Sequence, residues 1–177
     1  MTIRMFAVGA LCVAALGVGA GNAQQQPAAN PMDAIPDKMP FNTPYGPPIS
    51  LQRAQAAIQA ATDEANKRGW PLNVAVVDSG GNLVSFARMD GASLGSIAIA
   101  QHKARASAKF RRPTKYFEER VQQADAKFLL TIDDVIASRG GIPLVEDGKL
   151  IGAIGCSGAT GSQDEVICTA GAATINK

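Results

Sequence analysis

The chain has 177 residues, of which 46% are hydrophobic, 18% charged and 5% aromatic, and its formal net charge at pH 7 is +2. This length suits one domain built around a single hydrophobic core. The near-neutral charge and the scarcity of aromatic residues provide no basic arm or aromatic strand for nucleic acid, so we expect no nucleic-acid partner.

The first 23 residues have the features of a secretory signal peptide. Arg4 provides the positive charge, a long apolar run follows, and the small residues Gly21 and Ala23 precede an expected cleavage site before Gln24. The apolar run is short for a membrane span. We therefore expect residues 1–23 to be removed and the protein to be periplasmic or secreted, with no membrane association after cleavage. A retained N-terminal anchor is the alternative.

A proline- and glutamine-rich lead-in follows at residues 24–48 and holds seven of the ten prolines. This composition disfavours long helices and offers little to bury. We expect an extended segment ahead of a single domain at 49–177. The lead-in either wraps on the domain or on a neighbouring subunit through Met39, Phe41 and Tyr45, or is a disordered linker.

The first half of the domain reads as a helix followed by a hairpin. Apolar residues at helical spacing begin after Ser50, a suitable N-cap, and the helix is expected to end at Gly69. The segments 71–78 and 83–90 are β-branched and apolar, and "SGGN" joins them as a turn.

The second half repeats this order with different lengths. Ser93 is expected to cap a helix over 94–110, Thr114 a short helix to about Gln123, and 124–138 has no clear period. "GIPLV" and "LIGAIGCSG" form a second hairpin around "EDGK". Ser162 and Glu165 suggest a capping box for a last helix over 163–175. Two hairpins among helices predict an α+β fold with an antiparallel sheet covered on at least one face.

The stretch "LIGAIGCSGATGSQDEVIC" places a glycine at every third position from Gly152 to Gly161. It lacks the lysine of a phosphate loop, the spacing of a dinucleotide fingerprint and the second glycine of a serine-nucleophile elbow. Glycines near a strand end allow another backbone or a flat ligand to approach closely. The helix start beyond them suits a carboxylate, so Ser162 and Asp164 either cap the helix or contact a ligand.

Three blocks of the sequence together resemble the GlcG/HbpS-type haem-binding family: "VAVVDSGGNLVSFARMDGA", "AQHKARASAKF" and "GGIPLVEDGKLIGAIGCSGATGSQDEV". They occur in order and span most of 49–177. The resemblance implies a profilin-like α+β domain with an antiparallel sheet of about five strands covered by helices. It also implies assembly into homo-oligomers, and a role in haem binding or handling.

Several residues match positions within these blocks and are the candidate ligand-binding residues. They are Asp78, Arg88, Asp90, Lys103, Ser157, Gly158 and Asp164. Cationic side chains at a pocket mouth would bind carboxylates, haem propionates or a small organic acid. The alternative is internal ion pairing, such as Arg88 with Asp90 or Lys103 with an aspartate.

Haem ligation would need an axial donor or a tight apolar slot. His102 is the sole histidine and is therefore the first candidate, although a lone histidine on a helix is more often a partly exposed helix residue than a ligand. Met89, Tyr116 and Cys156 are weaker candidates.

Cys156 and Cys168 are the two cysteines that remain after signal removal. One ends a strand and the other lies in the following helix, so the chain doubles back between them. An exported compartment permits a bond, and we expect a disulfide between them.

Three functions are consistent with these features. The first is an exported protein that binds haem or a small anionic ligand. The second is an enzyme acting on a small hydroxy- or oxo-acid, with Asp78, Arg88, Asp90 or Lys103 in the chemistry. The third is a non-catalytic accessory protein.

Overall fold

A computed structural model describes residues 37, 39 and 43–176. The predicted signal peptide and most of the lead-in, including Phe41, lie outside these residues. Within the described part, no helix combines the length and the apolar character needed to cross a membrane.

Helices and strands follow the order expected from the sequence: helix, hairpin, helices, hairpin, helix. The elements are α1 (Leu51–Arg68), β1 (Asn73–Asp78), β2 (Leu83–Arg88), α2 (Ser96–Phe110), α3 (Lys115–Gln123), a 3-10 turn (Lys127–Thr131), β3 (Gly141–Glu146), β4 (Lys149–Ser157) and α4 (Gly161–Ala172). The segment without a clear period thus holds only the 3-10 turn.

The sheet has the strand order β2-β1-β4-β3, and all neighbours are antiparallel. The expectation of about five strands is wrong by one, since the described residues form four. The described part of the lead-in contributes an isolated bridge at Tyr45, where Gly46 N donates to Leu150 O and Leu150 N donates to Pro44 O. Its prolines lack N–H groups, which limits further pairing.

Both faces of the sheet are covered by helices. Val74 and Val76 of β1 pack with α1 and α4, whereas Ala75 and Val77 face α2. This alternation is the period of two that a strand imposes on its side chains. Two apolar clusters, one on each face, therefore form the core.

Gly155 of β4 lies where α2 approaches the sheet closely. A Cβ at this position would lie 2.2 Å from Ala100 O and 2.5 Å from Ala104 N. A side chain cannot fit there. The glycine spacing of this stretch thus serves packing, because it lets a helix backbone approach a strand directly.

Some of the helix caps predicted from the sequence are present in the structure, and others are not. Ser50 caps α1 by accepting from Arg53 N, and Gly69 ends α1 with a φ of 66°. Other caps differ. Helix α2 begins after Gly95 without a side-chain cap, so Ser93 is not its cap. The capping box of α4 is not the predicted Ser162 and Glu165 pair.

The actual capping box of α4 pairs Thr160 with Gln163. The same spacing of three residues begins two positions earlier, and the helix therefore starts at Gly161. Thr114 precedes α3 but uses its hydroxyl to accept from Gly141 N, which ties α3 to β3 instead of capping.

The last part of the lead-in packs on the domain of its own chain. The Tyr45 hydroxyl donates to Lys109 O at 2.7 Å, and Arg111 donates to Thr43 O at 3.1 Å. The Arg111 guanidinium also lies 5.2 Å from the centre of the Tyr45 ring. The lead-in thus donates to a carbonyl near the C-terminal end of α2, and the residue after α2 donates to a carbonyl of the lead-in. Met39 is exposed.

Candidate functional site

Two of the candidate residues form a buried ion pair at the junction of α2 and α4. Lys103 Nζ lies 2.7 Å from Asp164 Oδ2, and the two side chains are 1% and 3% exposed. Lys103 Nζ also donates to Cys156 O at 3.2 Å. The second oxygen of Asp164 accepts from Ala159 N. This pair corresponds to the ion-pair alternative that the sequence left open.

The environment of this pair is buried and closely packed. Burial raises the pKa of Asp164, and the Lys103 ammonium only partly offsets that effect. A Cβ at Gly140 would lie 2.8 Å from Asp164 Cβ and 3.2 Å from Lys103 Nζ. The residue is in the left-handed region, with a φ of 112°. Close packing thus surrounds these two charges.

A disulfide joins Cys156 and Cys168 beside the ion pair, as the sequence predicted. Both cysteines are fully buried. The bond links the end of β4 to α4, one helical turn beyond Asp164. Cys156 is therefore unavailable as a metal ligand, which corrects one of the weaker haem-ligand candidates.

Asp78 organises the turn of the first hairpin. Its Oδ1 accepts from Gly80 N at 2.8 Å and from Asn82 N at 2.9 Å. This arrangement is the local turn that aspartate commonly supports. The side chain is committed to backbone donors on its own loop.

Arg88 and Asp90 lie in a different setting. Both are exposed, and in the part of the chain that the structure describes neither has an ion-pair partner. The expected Arg88–Asp90 pair does not form. Instead both residues line a cavity of about 550 Å³, which is within the range of small-ligand sites.

The cavity lies between the C-terminal end of α1 and the segment that follows β2. Its lining consists of Ala65, Asn66, Gly69, Trp70, Pro71, Arg88, Met89 and Asp90. Trp70 is half-buried, and the Arg68 guanidinium lies 5.1 Å from its ring centre. The cavity thus combines an aromatic face, a thioether and unpaired charges of both signs.

Sequence reasoning did not select Trp70, although it is the only tryptophan of the chain. It directly follows Gly69, whose left-handed conformation turns the chain out of α1. A lone aromatic residue immediately after a helix-ending glycine was the available signal.

Asn73 is a second polar residue that sequence reasoning did not select. The sheet register aligns it with Arg88 on β2 and with Ser157 on β4, so the three form a row across the sheet. Its amide donates to Ser93 O at 3.0 Å and more weakly to Ser157 O at 3.5 Å. Of the buried side-chain polar atoms among the described residues, Asn73 Oδ1 alone has no hydrogen-bond partner.

Ser157 ends β4 and Gly158 follows it, next to the segment that leads into β1. Ser157 is buried, and a Cβ at Gly158 would lie 2.7 Å from Leu72 Cα. Their positions are thus set by close packing of two backbone segments. Neither residue lines the cavity beside Trp70.

His102 and Tyr116 also lie away from the cavity. His102 is half-buried on α2, near Asp134, whose pKa is lowered chiefly by a hydrogen bond from Lys109 and slightly by the His102 charge. The Tyr116 ring lies under the Arg112 guanidinium at 4.4 Å. Among the described residues, no group of three or more His, Cys, Asp or Glu side chains is arranged to hold a metal ion.

A four-stranded antiparallel sheet between helices, with an open cavity at one end, defines a small α+β domain. The chain belongs to the family described as haem degrading protein HbpS-like, whose model matches residues 49–173.

Similar proteins span most of the domain. Protein GlcG of Escherichia coli K12 is 42% identical over 109 residues, which are 62% of this chain and 81% of GlcG. The structure resembles a double mutant of Streptomyces reticuli HbpS, with a TM-score of 0.68, 34% identity, and coverage of 85% of this chain and all of that one. A PduOC–haem complex is similar with a TM-score of 0.66, 29% identity, and coverage of 73% and 96%.

Proposed function

We propose that this protein binds haem in the cavity beside Trp70. The observation that carries the proposal is the combination of an aromatic wall and an unpaired arginine in one cavity of about 550 Å³. Haem is a flat apolar ring with two carboxylates. A site for it needs an apolar face and a cation at its mouth, and these residues provide both.

The residues of the cavity would each make a different kind of contact with haem. The Arg88 guanidinium would bind a propionate, since arginine pairs well with carboxylates. The Trp70 ring and Pro71 would cover apolar surface of the macrocycle. When bound, haem would supply a redox-active iron centre. The protein's own contribution is to bind and orient the ring.

Membership of the HbpS-like family and similarity to a haem complex support this proposal. The described residues also fit the group by their donor chemistry. A thioether, an indole ring and an arginine line the same cavity, whereas the buried Lys103–Asp164 pair is already satisfied internally.

Titration of haemin into the purified protein tests the proposal. We expect a shifted Soret band for the wild type and a weaker affinity for Arg88→Gln. Arg105→Gln is the matched control, because Arg105 lies on α2 outside the cavity lining. The absence of a Soret shift in the wild type, or equal losses in both variants, would contradict the proposal.

A second candidate is an enzyme acting on a small hydroxy- or oxo-acid. The observation that favours it is that Arg88 and Asp90, which carry opposite charges, line the same cavity. Arginine would hold the carboxylate of an oxo-acid, and the aspartate would take a proton from the carbon next to the carbonyl and return one, which balances without an oxidant. Deuterium exchange into pyruvate that is lost in Asp90→Asn supports this function. No exchange above background with the wild type argues against it.

We also propose export to an oxidising compartment. The signal-like residues 1–23 and the disulfide between Cys156 and Cys168 support this localisation, because disulfides persist mainly in such compartments. Cell fractionation tests it. Full-length protein retaining the N-terminal segment in the cytoplasm would contradict it.

Finally, we propose that the protein assembles into homo-oligomers. Large apolar side chains that remain exposed, among them Leu94, Phe128 and Leu130, support this. Light scattering after size-exclusion chromatography measures the mass in solution. A strictly monomeric mass at micromolar concentration would contradict it.

A further inference from the structure

We propose that the outer edge of β2 is the surface through which two copies of this chain associate, by antiparallel pairing of β2 with β2 of the second copy. The inference rests on the proposed homo-oligomer and adds the surface that forms it. It can fail while that proposal stands, because exposed apolar residues such as Leu94 and Phe128 could join the copies instead.

The edge of the sheet at β3 is closed by the chain itself. Thr114 N donates to Gly141 O, and the Thr114 hydroxyl accepts from Gly141 N, both at 2.9 Å. The Asn176 amide then acts like a short strand, since its Nδ2 donates to Pro143 O and its Oδ1 accepts from Val145 N. Pro143 itself has no N–H to offer. The outer backbone groups of β3 are therefore already bonded within the chain.

The opposite edge of the sheet, at β2, lacks such a cover. Met89 N donates to Leu72 O, which fixes the phase of the hydrogen bonds between β2 and β1. In an antiparallel pair only every second residue bonds to the neighbouring strand. Ala87 therefore bonds to β1, while the backbone groups of Phe86 and Arg88 point outward. Within the part of the chain that the structure describes, no hydrogen bond reaches those outward groups.

The sequence of β2 does little to prevent pairing at this edge. Proteins commonly protect an edge strand with proline, lysine, inward-pointing charges or a bulge. The strand "LVSFAR" has no proline, lysine or acidic residue, and its only charge is Arg88 at the end. A bulge is present, but it falls at Val84, where the register with β1 shifts. Residues 85–88 thus form a regular outer edge that is free to bond.

A two-fold arrangement of two such edges is self-complementary when Ala87 lies on the axis. Phe86 then opposes Arg88 of the second copy, and each such pair exchanges two backbone hydrogen bonds. The Phe86 ring lies beside the aliphatic stem of the arginine. An axis at Arg88 would set like charges opposite each other, which is destabilising. An axis at Phe86 would require the bulged Val84 to pair, so the register centred on Ala87 is expected.

Cysteine cross-linking tests this geometry directly. Ala87→Cys sets two thiols opposite each other at a non-hydrogen-bonded pair, where Cα atoms lie about 4.5 Å apart, within reach of a disulfide. Ser85→Cys is the matched control, because it lies on the same face of β2 but roughly 13 Å or more from its own copy. With copper–phenanthroline as oxidant, we expect a covalent dimer for Ala87→Cys and none for Ser85→Cys.

A second measurement blocks the pairing without a cysteine. Arg88→Pro removes an N–H that points outward, which an edge strand tolerates, so the bonds between β2 and β1 remain. The dissociation constant of the dimer, from light scattering after size-exclusion chromatography, should rise about tenfold or more, since each copy loses a donor. Phe128→Ser is the control outside the edge and should leave the mass unchanged. Urea denaturation verifies that each variant is folded, and the cross-linking result decides if Arg88→Pro is not.

The outcomes separate this interface from assembly as such. No covalent dimer for Ala87→Cys, or equal cross-linking of Ala87→Cys and Ser85→Cys, would overturn the proposed pairing. An unchanged mass in folded Arg88→Pro together with a lower mass in Phe128→Ser would also overturn it, while leaving the homo-oligomer in place. A monomeric wild type that gives no cross-linked dimer would overturn both.

Discussion

Four of the five charged candidate residues fall into two regions with opposite character. At the junction of α2, α4 and β4, Lys103 and Asp164 are almost fully buried and bonded to each other and to the backbone. Beside Trp70, Arg88 and Asp90 are exposed and have no ion-pair partner among the described residues. The first region holds elements together, and the second is free to bind.

This difference shows that a sequence block can carry charges for two purposes. Charges enclosed by the fold need an internal partner, because an unpaired buried charge is very costly. Charged side chains that line a cavity and have no internal partner can still pair with a ligand. Stability and ligand affinity should therefore respond to different substitutions, and the following predictions test that division.

The largest effect is expected for Lys103→Met. Removing the cation leaves Asp164 buried without its partner, and breaking a buried pair in this way costs about 3 to 5 kcal/mol of unfolding free energy. Urea denaturation measures this loss. The double variant Lys103→Met with Asp164→Leu should recover much of it, because it removes both charges. A single-variant loss below about 1 kcal/mol, typical of an exposed pair, would contradict the account.

The next effect concerns the disulfide. Replacing Cys156 and Cys168 by alanine should lower the unfolding free energy by about 2 to 4 kcal/mol, the usual contribution of such a bond. Denaturation of wild type and variant, each with and without reductant, measures it. Reductant present during unfolding should weaken the wild type and leave the variant unchanged. Equal stability of both proteins without reductant would contradict the prediction.

A smaller expected effect is a dependence of the unfolding free energy on pH. Burial raises the pKa of Asp164, with Lys103 acting in the opposite direction. A carboxyl whose folded pKa exceeds its unfolded value favours folding most below the unfolded pKa of about 4. That contribution is lost as the pH rises through the raised folded value.

The wild type should therefore lose stability relative to Asp164→Asn as the pH increases from about 4 to 7. Urea denaturation of both proteins across this interval measures the difference. A wild type that gains on the variant with rising pH would mean that Lys103 outweighs burial, which is the reverse of the expected sign.

Much of the fold was predictable from the chain. The β-branched, apolar run at 71–78 predicted β1, and the helical spacing after Ser50 predicted α1 and its start. The last helix was also found, but its cap was misplaced because Thr160 and Ser162 both carry suitable hydroxyls. Which of the two hydroxyls caps α4 depends on where β4 ends and the helix begins. The spacing of residues in the sequence does not determine that point.

The site was harder to predict than the fold. The sequence singled out Arg88 and Lys103 together, yet only the three-dimensional packing separates an exposed arginine from an enclosed lysine. The cavity also depends on Trp70, which comes from the end of α1 rather than from the quoted "RMDG" segment. Contacts between segments distant in sequence leave little local pattern. Trp70 was therefore not selected, even though the helix that precedes it was predicted.

The most direct test of the central claim is a paired measurement on Arg88→Gln. The account predicts an unfolding free energy within about 0.5 kcal/mol of the wild type, as for an exposed residue without a partner. It predicts at the same time a haem dissociation constant raised about tenfold, which corresponds to about 1.4 kcal/mol of binding energy. A variant that loses stability but binds haem as tightly as the wild type would contradict the division between an enclosed pair and an open ligand site.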